Sequence, residues 1–405
     1  MSSNGIEFIE CRLDDIAEIH NYKRRPLNSR EREKIQGQYP YYGASGIFDY
    51  LNDYIFDGEF VLISEDGENL KSRNTPIAFK VNGKFWVNNH AHIVRGKEEL
   101  INDFLVYYFA NLNLNAYVTG AVQPKLNKEN LLSIPIYLPK DKEIRNQFIS
   151  VLKSLDEKIE NNLSTNKTIE EIARTIFKEW FVNFNYPNAD GNRKDSEFGE
   201  IPSDWNVLEI GEVCYVQNGY AFKSNDFKEE GEVGIIKIKN INGNVVDIEK
   251  TDFVDANVVE RLDKKFKIES GSLLIAMTGA EVGKIGLVPL TEKNLWLNQR
   301  VGMFKEKIAY GNLFMYLLLS SDTYQTNIQN SALGSAQPNI SASAIESIRA
   351  IIPTADLIEA FGKIVNPMFE KILDNLAENE TLKITRDSLL PKLMSGEIDV
   401  NISNA

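Results

Sequence analysis

The sequence is poor in cysteine and has no long apolar run. Its 405 residues include only Cys11 and Cys214, which cannot build a disulfide framework and which fit a reducing cytoplasm. No apolar run approaches the roughly 18 residues that a membrane span needs, and residues 1–20 lack the basic-then-apolar pattern of a secretion signal. Hydrophobic residues make up 43% of the chain and aromatic residues 10%, which excludes a disordered protein. We therefore expect a cytoplasmic protein of two or three domains without a membrane partner.

Positive charge is not in excess either. The chain carries 45 Lys and Arg residues against 58 Asp and Glu residues, a formal net charge of -13, and no segment is basic overall. A DNA-binding surface would therefore have to be a local basic stripe, and a partner would have to supply further phosphate neutralisation. Net charge alone neither establishes nor excludes DNA binding.

The motifs of a cofactor-dependent enzyme are absent as well. The sequence contains no Asn-Pro-Pro-Phe/Tyr element of amino-methyltransferases and no Walker phosphate loop. Residues 279–285 (GAEVGKI) imitate a Walker loop, but they are one residue short between the glycines and lack Ser or Thr after Lys284, so a hairpin turn is expected. His90 and His92 lack the companion ligands of a metal site, and no nucleophile–base pairing is visible. We expect no catalytic residue, no metal and no cofactor in this chain.

The strongest positive signal is an internal repeat. Residues 120–139 align without gaps with residues 334–353. The first segment meets identical residues of the second at Gly120, Gln123, Pro124, Ser133, Ile134 and Pro139. Upstream, residues 86–90 (WVNNH) align with residues 296–300 (WLNQR). The chain therefore consists of two related halves.

Each half ends in a long helical pattern with apolar residues spaced three and four apart, as a coiled-coil seam requires. The first seam is Phe148, Leu152, Leu155, Ile159, Leu163, Asn166, Ile169, Ala173, Ile176 and Trp180. The second seam is Phe361, Val365, Met368, Ile372, Leu376, Asn379, Leu382, Arg386, Leu389 and Leu393. Asn166 and Asn379 occupy the same seam position, where a buried amide pair fixes helix–helix register.

Short β-rich runs between turn signals complete each half. We predict a mixed α+β fold of two pseudo-twofold repeats, each a globular domain followed by a long α-helix, with the two helices packed as an antiparallel coiled coil. The predicted boundaries are residues 1–139, 140–182, 183–204, 205–353 and 354–400, of which 183–204 is a polar linker rich in Gly, Pro and Asn.

This organisation, together with several phrases of sequence, resembles the specificity subunit of type I restriction-modification systems. The phrases are residues 39–47 (YPYYGASGI), 64–67 (SEDG), 74–79 (NTPIAF), 85–92 (FWVNNHAH), 201–205 (IPSDW), 278–284 (TGAEVGK), 334–338 (GSAQP) and 389–398 (LLPKLMSGEI). The resemblance makes 1–139 and 205–353 target-recognition domains and makes 140–182 and 354–400 conserved helical spacers. Changing the spacer length should then change the gap between half-sites.

The resemblance also implies the partners. Such a subunit is not catalytic: it reads a bipartite, gapped double-stranded DNA target and docks two methyltransferase subunits, and through them nuclease/translocase subunits. S-adenosylmethionine and ATP with Mg²⁺ would be held by those partners. Two alternatives remain open from the sequence. One is a coiled-coil scaffold that does not read DNA, and the other is an enzyme in its own right, which the missing cofactor motifs disfavour.

Base readout needs Asn, Gln, Arg, Lys and similar side chains at groove edges. The candidates in the first half are Tyr41, Tyr42, Ser45, Lys71, Arg73, Asn88, Asn89, His90, Gln123 and Lys125. The candidates in the second half are Tyr220, Lys223, Lys284, Asn298, Gln299, Arg300, Gln337 and Asn339. The difference between the aligned His90 and Arg300 is what two readers of different half-sites should show. A basic cluster in residues 23–34 is a further candidate for phosphate contact.

Overall fold

A computed structural model describes residues 6–120, 123–241, 243–332 and 338–398. The chain divides into two compact units, of which the first consists of residues 1–158 and 382–405 and the second of residues 159–381. In the described part of the chain, no helix combines the length and the apolar character needed to cross a membrane.

The first unit consists of short strands and helices followed by the start of a long helix. Its strands are β1 (Phe8–Cys11), β2 (Ala17–Ile19), β3 (Gln36–Gly43), β4 (Gly46–Leu51), β5 (Phe56–Asp57), β6 (Phe60–Ser64), β7 (Ala78–Val81), β8 (Lys84–Val87), β9 (Ala91–Gly96) and β10 (Ile136–Pro139). Its helices are α1 (Leu13–Ile16), α2 (Ser29–Glu33), α3 (Asn69–Ser72), α4 (Ile101–Asn111), α5 (Lys128–Ser133) and the beginning of α6 (Lys142–Phe177).

The second unit has a similar set of elements, with the hairpin β11–β12 in addition. Its strands are β11 (Arg193–Ser196), β12 (Gly199–Pro202), β13 (Asn206–Glu209), β14 (Cys214–Asn218), β15 (Val233–Ile236), β16 (Asp252–Val254), β17 (Lys267–Ile268), β18 (Leu273–Ala276), β19 (Ile285–Leu287), β20 (Asn294–Leu297), β21 (Val301–Glu306) and β22 (Arg349–Ile352). Its helices are α7 (Ala256–Val259), α8 (Gly311–Leu319), α9 (Asp322–Ser331), α10 (Ala342–Glu346) and most of α11 (Ala355–Met394), and α6 ends there in the π-helical turn Lys178–Val182.

The sheets of the two units have the same strand order. The first unit contains the sheets β2-β9-β6-β7, β4-β3-β8-β5 and β1-β10, and the second contains β14-β21-β18-β19, β16-β15-β20-β17 and β13-β22 in the same roles. In both units one sheet contains a parallel pair, which places Tyr41 opposite Trp86 in the first unit and Ile235 opposite Trp296 in the second. The predicted mixed α+β fold of two repeats is therefore confirmed.

The central strands are apolar except for Ser64 at the end of β6, as expected where both faces of a strand are covered. All residues of β6 are buried, as are all residues of β18, the matching strand of the second unit. Helix α4 packs on the β6 sheet, and Phe104 and Leu105 of that helix join its core. In the second unit Phe314 and Met315 of α8 do the same. These rigid layers hold the loops that follow β6 and β18.

The two long helices pack antiparallel within each unit. In the second unit the Asn162 amide donates to Asn379 Oδ1 at 2.9 Å, and the Asn375 amide donates to Asn166 Oδ1 at 2.7 Å. In the first unit Arg386 forms an ion pair with Asp156 at 2.6 Å. This pair explains the arginine that interrupts the second predicted seam.

The predicted seam is wrong at one position. Leu163 is 52% exposed, while Asn162, one residue earlier, is buried in the seam. Asn166 and Asn379 are both buried there, but each pairs with another asparagine, Asn375 or Asn162, and not with its repeat mate. Apolar periodicity alone assigns the seam position to Leu163. The hydrogen bonds between the helices instead place Asn162 there.

This arrangement predicts opposite outcomes for two neighbouring substitutions. Replacing Asn162 by Ala leaves the buried Asn379 oxygen without its donor, so we expect the free energy of unfolding to fall by about 1–2 kcal/mol. Replacing Leu163 by Ala removes an exposed side chain, so we expect a change within about 0.5 kcal/mol. Urea denaturation followed by circular dichroism measures both values. A larger loss for the leucine variant would place Leu163, and not Asn162, in the seam.

The segment 183–204, interpreted from its composition as a linker, is folded onto the second unit. It contains the hairpin β11–β12, and Ile201 on β12 is buried in the core. Trp205, directly after the segment, is fully buried and stacks on Tyr186 with a ring-centroid distance of 5.2 Å. Aromatic residues therefore anchor a stretch that reads as polar overall.

Candidate nucleic-acid interface

The strand that carries the repeated tryptophan, Trp86 or Trp296, ends in the same turn in both units. The turn residues are Asn88, Asn89 and His90 after β8, and Asn298, Gln299 and Arg300 after β20. Asn88 Oδ1 accepts the backbone N–H of His90 at 2.7 Å, and Asn298 Oδ1 accepts that of Arg300 at 3.4 Å. The first asparagine therefore shapes each turn, and the next two residues present their side chains to solvent.

A second loop lies against this turn in the first unit. The backbone N–H of Glu65, which follows β6, donates to the carbonyl of His90 at 2.9 Å. Two residues later, the N–H of Gly67 donates to the carbonyl of Pro124 at 3.0 Å. Gln123 and Lys125, both exposed, flank that proline. The repeated Gln-Pro segment is thus brought next to the turn, as one continuous surface.

The second unit builds the same surface with the same backbone hydrogen bonds. The N–H of Met277, after β18, donates to the carbonyl of Arg300 at 3.0 Å. The N–H of Gly279 donates to the carbonyl of Pro338 at 2.9 Å, and Asn339 beside it is exposed. Gln337, the remaining candidate of this segment, lies outside the described residues. The two units therefore present equivalent surfaces with different side chains.

In the first unit the surface borders a cleft of about 600 Å³. Its polar lining side chains are Arg32, Tyr41, Ser45, Asp66, Glu68, Asn69, Asn88, Asn89 and His90. Ile47 and Phe48 on the β3–β4 hairpin also line the cleft, and both are exposed. Arg32 lies over the Phe48 ring at 4.8 Å and forms an ion pair with Asp49 at 2.8 Å. A cleft that combines hydrogen-bonding groups with an exposed aromatic ring suits contact with base edges.

A network of ion pairs and hydrogen bonds around Glu65 lies next to this surface. The Glu65 carboxylate is nearly buried and forms an ion pair with Arg24, with Lys125 Nζ at 3.5 Å and His92 Nδ1 at 3.7 Å. Burial raises the pKa of Glu65, but the hydrogen bond from Arg24 and the surrounding positive charges outweigh it and lower the pKa overall. Glu65 is therefore an ionised, paired carboxylate that positions the loop after β6.

The two histidines of the first unit have separate partners. His92 is fully buried: its Nε2–H donates to the carbonyl of Leu126 at 2.7 Å, and Nδ1 accepts from the Asn21 amide at 2.8 Å. Burial lowers the pKa of His92, which keeps the ring neutral. His90 Nδ1 instead faces the Asp66 carboxylate. Within the ranges the structure describes, no three His, Cys, Asp or Glu side chains gather as metal ligands.

The tyrosine candidates of the first unit lie inside it. Tyr41 is 1% exposed, and its hydroxyl accepts the backbone N–H of Leu27 at 3.1 Å. Tyr42 packs against Phe79 and Phe85. Both residues belong to β3 and pack within the unit, so their position favours a structural role.

The other candidates of the first unit differ in how free their side chains are. Ser45 is exposed at the rim of the cleft, and Lys71 is exposed on α3. Arg73 donates to the carbonyl of Ala110 at 2.9 Å and to that of Leu112, which caps the end of α4. Arg73 therefore serves the fold, whereas Ser45 and Lys71 remain open to a ligand.

The candidates of the second unit divide in the same way. Tyr220 is partly exposed, and its ring contacts Phe222 and Phe266 at 5.1 and 5.7 Å. Lys223 is exposed close to it in sequence. Lys284 forms an ion pair with Glu281. Through its contact with Phe266, Tyr220 packs against another segment of the second unit, residues 264–267.

That segment carries basic residues that the sequence analysis misses. Lys264, Lys265 and Lys267 are exposed around Phe266. Lys267 begins β17, which pairs with β20 and sets this lysine opposite Trp296, two residues before the turn. The signal is visible as three lysines in four residues, but only the pairing of β17 with β20 places them beside the turn.

The basic cluster of residues 23–34 is only partly available to phosphate. Arg24 and Arg32 are held in the ion pairs with Glu65 and Asp49. The exposed members of the cluster are Lys23, Arg25, Arg30 and Lys34.

The comparisons with known proteins agree on one family. The model of the Type I restriction modification DNA specificity domain matches residues 6–171 and 202–382. The specificity subunit of the MjaIX type I restriction enzyme of Methanocaldococcus jannaschii is 28% identical over 313 residues, which are 75% of this chain and 71% of that protein. The MjaVIII specificity subunit of the same organism is 24% identical over 388 residues, 92% of this chain and 89% of that protein.

A solved structure shares the fold. The crystal structure of the S subunit of a type I restriction-modification system from M. genitalium aligns with a TM-score of 0.64 and 17% identity. The alignment covers 97% of this chain and 99% of that chain.

Proposed function

The chain belongs to the type I restriction-modification specificity-subunit family, and from this premise we propose that it reads a bipartite, gapped double-stranded DNA target. Each unit reads one half-site with the surface formed by its turn and the neighbouring loop. The chain also docks two methyltransferase subunits and, through them, nuclease/translocase subunits.

The observation that carries this proposal is the repeated surface. The two units share their backbone hydrogen bonds around the turn, yet the exposed turn residues differ, Asn89 and His90 in one unit and Gln299 and Arg300 in the other. Amide and guanidinium groups are among those that hydrogen-bond base edges in the major groove, and an imidazole can donate or accept a hydrogen bond there as well. Recognition of two different half-sites requires the same backbone structure in both units with different base-contacting side chains.

The long helices α6 and α11 are the proposed spacer and docking surface. The chain itself supplies no catalytic group in this proposal, because S-adenosylmethionine and ATP with Mg²⁺ are bound by the partner subunits. Methylation of the target is therefore a property of the complex.

The test is a single-molecule methylome of the source cell with and without this gene. We expect the loss of one gapped, two-part methylated motif when the gene is deleted. An unchanged methylome in a cell that expresses active methyltransferase subunits would reject DNA reading, and a methyltransferase that still co-purified with the chain would then support a scaffold.

Arg300 gives a prediction at a single base pair. Replacing Arg300 by Ala should reduce discrimination at one position of one half-site by about 1–3 kcal/mol, because a guanidinium reads a guanine edge through two hydrogen bonds. Binding of the methyltransferase complex to duplexes that vary one base pair at a time measures this loss. Arg349 is the matched control, since it is paired with Glu197 at 2.7 Å on another sheet. Equal weakening on every duplex would exclude base readout by Arg300.

The lysines around Phe266 give a prediction on salt dependence. Replacing Lys264, Lys265 and Lys267 by Gln should weaken binding on all sequences and reduce the slope of log affinity against log salt by about 0.9 for each phosphate that is no longer neutralised. Lys228→Gln is the control, because Asp255 already holds that ammonium with both oxygens at 2.6 Å. An unchanged slope in the triple variant would remove this segment from the interface.

A further inference from the structure

The Asp66 carboxylate has a single hydrogen-bond partner among the described residues. Both of its oxygens lie 2.8–2.9 Å from His90 Nδ1. The Asp66 side chain is only 14% exposed, whereas that of His90 is 45% exposed. Burying a carboxylate costs free energy, so its placement against His90 indicates that this contact has a function.

The pair determines which ring nitrogen of His90 faces solvent. A carboxylate only accepts hydrogen bonds, so the ring must carry its proton on Nδ1, next to Asp66. In the neutral ring, Nε2 then bears the lone pair. On the exposed side of the ring, Nε2 can accept a hydrogen bond from the amino group of adenine or of cytosine, the two donors that bases offer in the major groove.

The second unit supplies an internal comparison. Thr278 occupies the place of Asp66, since each follows the strand below the turn and pairs with the Gln-Pro segment, Thr278 with Asn339 and Asp66 with Lys125. The reader beside this threonine is Arg300, which is always cationic. A carboxylate at position 278 would bind that guanidinium and withdraw it from DNA. Histidine is thus found with aspartate, and arginine with an uncharged residue.

We propose that Asp66 is the positioning residue of the first unit, and that it holds the His90 imidazole so that Nε2 reads the amino group of an adenine or cytosine in one half-site. Asp66 with His90 and Thr278 with Arg300 then act as two interchangeable reader pairs on one scaffold. This inference rests on the function proposed above and names the chemistry of one of its two sites.

The test exchanges the reader pair in the full chain bound to its methyltransferase subunits. The wild-type complex should prefer adenine or cytosine at one position of one half-site by about 5- to 150-fold, and Asp66→Thr should lose that preference. His90→Arg alone should also lose it, because Asp66 captures the new guanidinium. The double variant Asp66→Thr/His90→Arg should acquire a preference for guanine of the same size at that position. Asp66→Ala, which leaves no side-chain acceptor for His90 Nδ1, serves if the threonine variant fails to fold.

The reciprocal variant is the control. Thr278→Asp places a carboxylate beside Arg300 and should abolish discrimination in the other half-site only. A wild-type complex without any two-part target overturns the proposed function together with this inference. If the wild-type complex reads its target and the variants Asp66→Thr and Asp66→Ala keep the same base preference, this inference alone is overturned. A preference for guanine or thymine at the position that His90 contacts would also overturn this inference alone.

Discussion

Replacing Arg24 by Ala is expected to destabilise the first unit by about 3 kcal/mol and to abolish recognition of one half-site. The substitution leaves the Glu65 carboxylate, whose side chain is 10% exposed, without its ion-pair partner. Lys125 Nζ remains 3.5 Å from the carboxylate, so we place the loss at the lower end of what an unpaired buried charge costs. Because the Glu65 backbone holds the carbonyl of His90, the reading turn should lose its geometry together with the ion pair.

The same variant has a defined dependence on pH. The pKa of Glu65 is lowered in the folded protein, so the stability that the ion pair contributes is present above the ordinary glutamate pKa of about 4.3 and is lost as the pH falls through the lower folded pKa. The difference in unfolding free energy between wild type and Arg24→Ala should therefore be complete at pH 7 and shrink below pH 4. Urea titrations at a series of pH values measure this difference. A constant difference down to pH 3 would show that the charge of Glu65 is not involved.

Two controls separate the ion pair from positive charge in general. Arg30, which belongs to the same basic cluster, is exposed, so Arg30→Ala should change the unfolding free energy by no more than about 0.5 kcal/mol. The double variant Arg24→Met/Glu65→Met removes both charges and should recover much of the stability, because apolar residues often replace a buried ion pair at little cost. The second unit already has a methionine, Met277, in the place of Glu65. If the double variant is no more stable than Arg24→Ala, the loss comes from packing.

Much of the architecture can be predicted from the sequence because the two halves have matching residues in their turns and strands. The tryptophan strand, its asparagine turn and the Gln-Pro segment align between the halves, and the structure brings all three together in each unit. The Arg24–Glu65 pair could not be predicted, because 41 residues separate its partners and no periodicity links them. For the same reason Asp66 and His90 are visible as residues but not as a pair.

Composition also misleads where a few side chains outweigh many. Residues 183–204 are polar on average, which predicts a linker, yet Phe184 and Tyr186 pack on Trp205. In the helices, counting apolar residues favours Leu163 over Asn162, because periodicity cannot show that an amide finds its partner on the other helix. Both errors arise where a tertiary contact decides the position of a residue.

Replacing Trp205 by Ala should destabilise the second unit by about 3–5 kcal/mol. The indole is fully buried and touches three aromatic rings, those of Phe181, Phe184 and Tyr186, at centroid distances of 5.8, 5.4 and 5.2 Å. Its removal leaves a cavity between these rings and takes away their common packing partner. Urea denaturation followed by circular dichroism measures the loss, and hydrogen exchange should show it in the second unit.

Phe198 is the matched control for this prediction, because it is an aromatic residue at the tip of the same hairpin and is 47% exposed. Phe198→Ala should change the unfolding free energy by no more than about 0.5 kcal/mol. If both variants lose little, the segment is the linker that its composition predicts. If only Trp205→Ala is destabilised, the hairpin belongs to the core of the second unit. The turn at Arg300 belongs to the second unit. Trp205→Ala should then also weaken discrimination in the half-site that Arg300 reads and leave the other half-site unchanged.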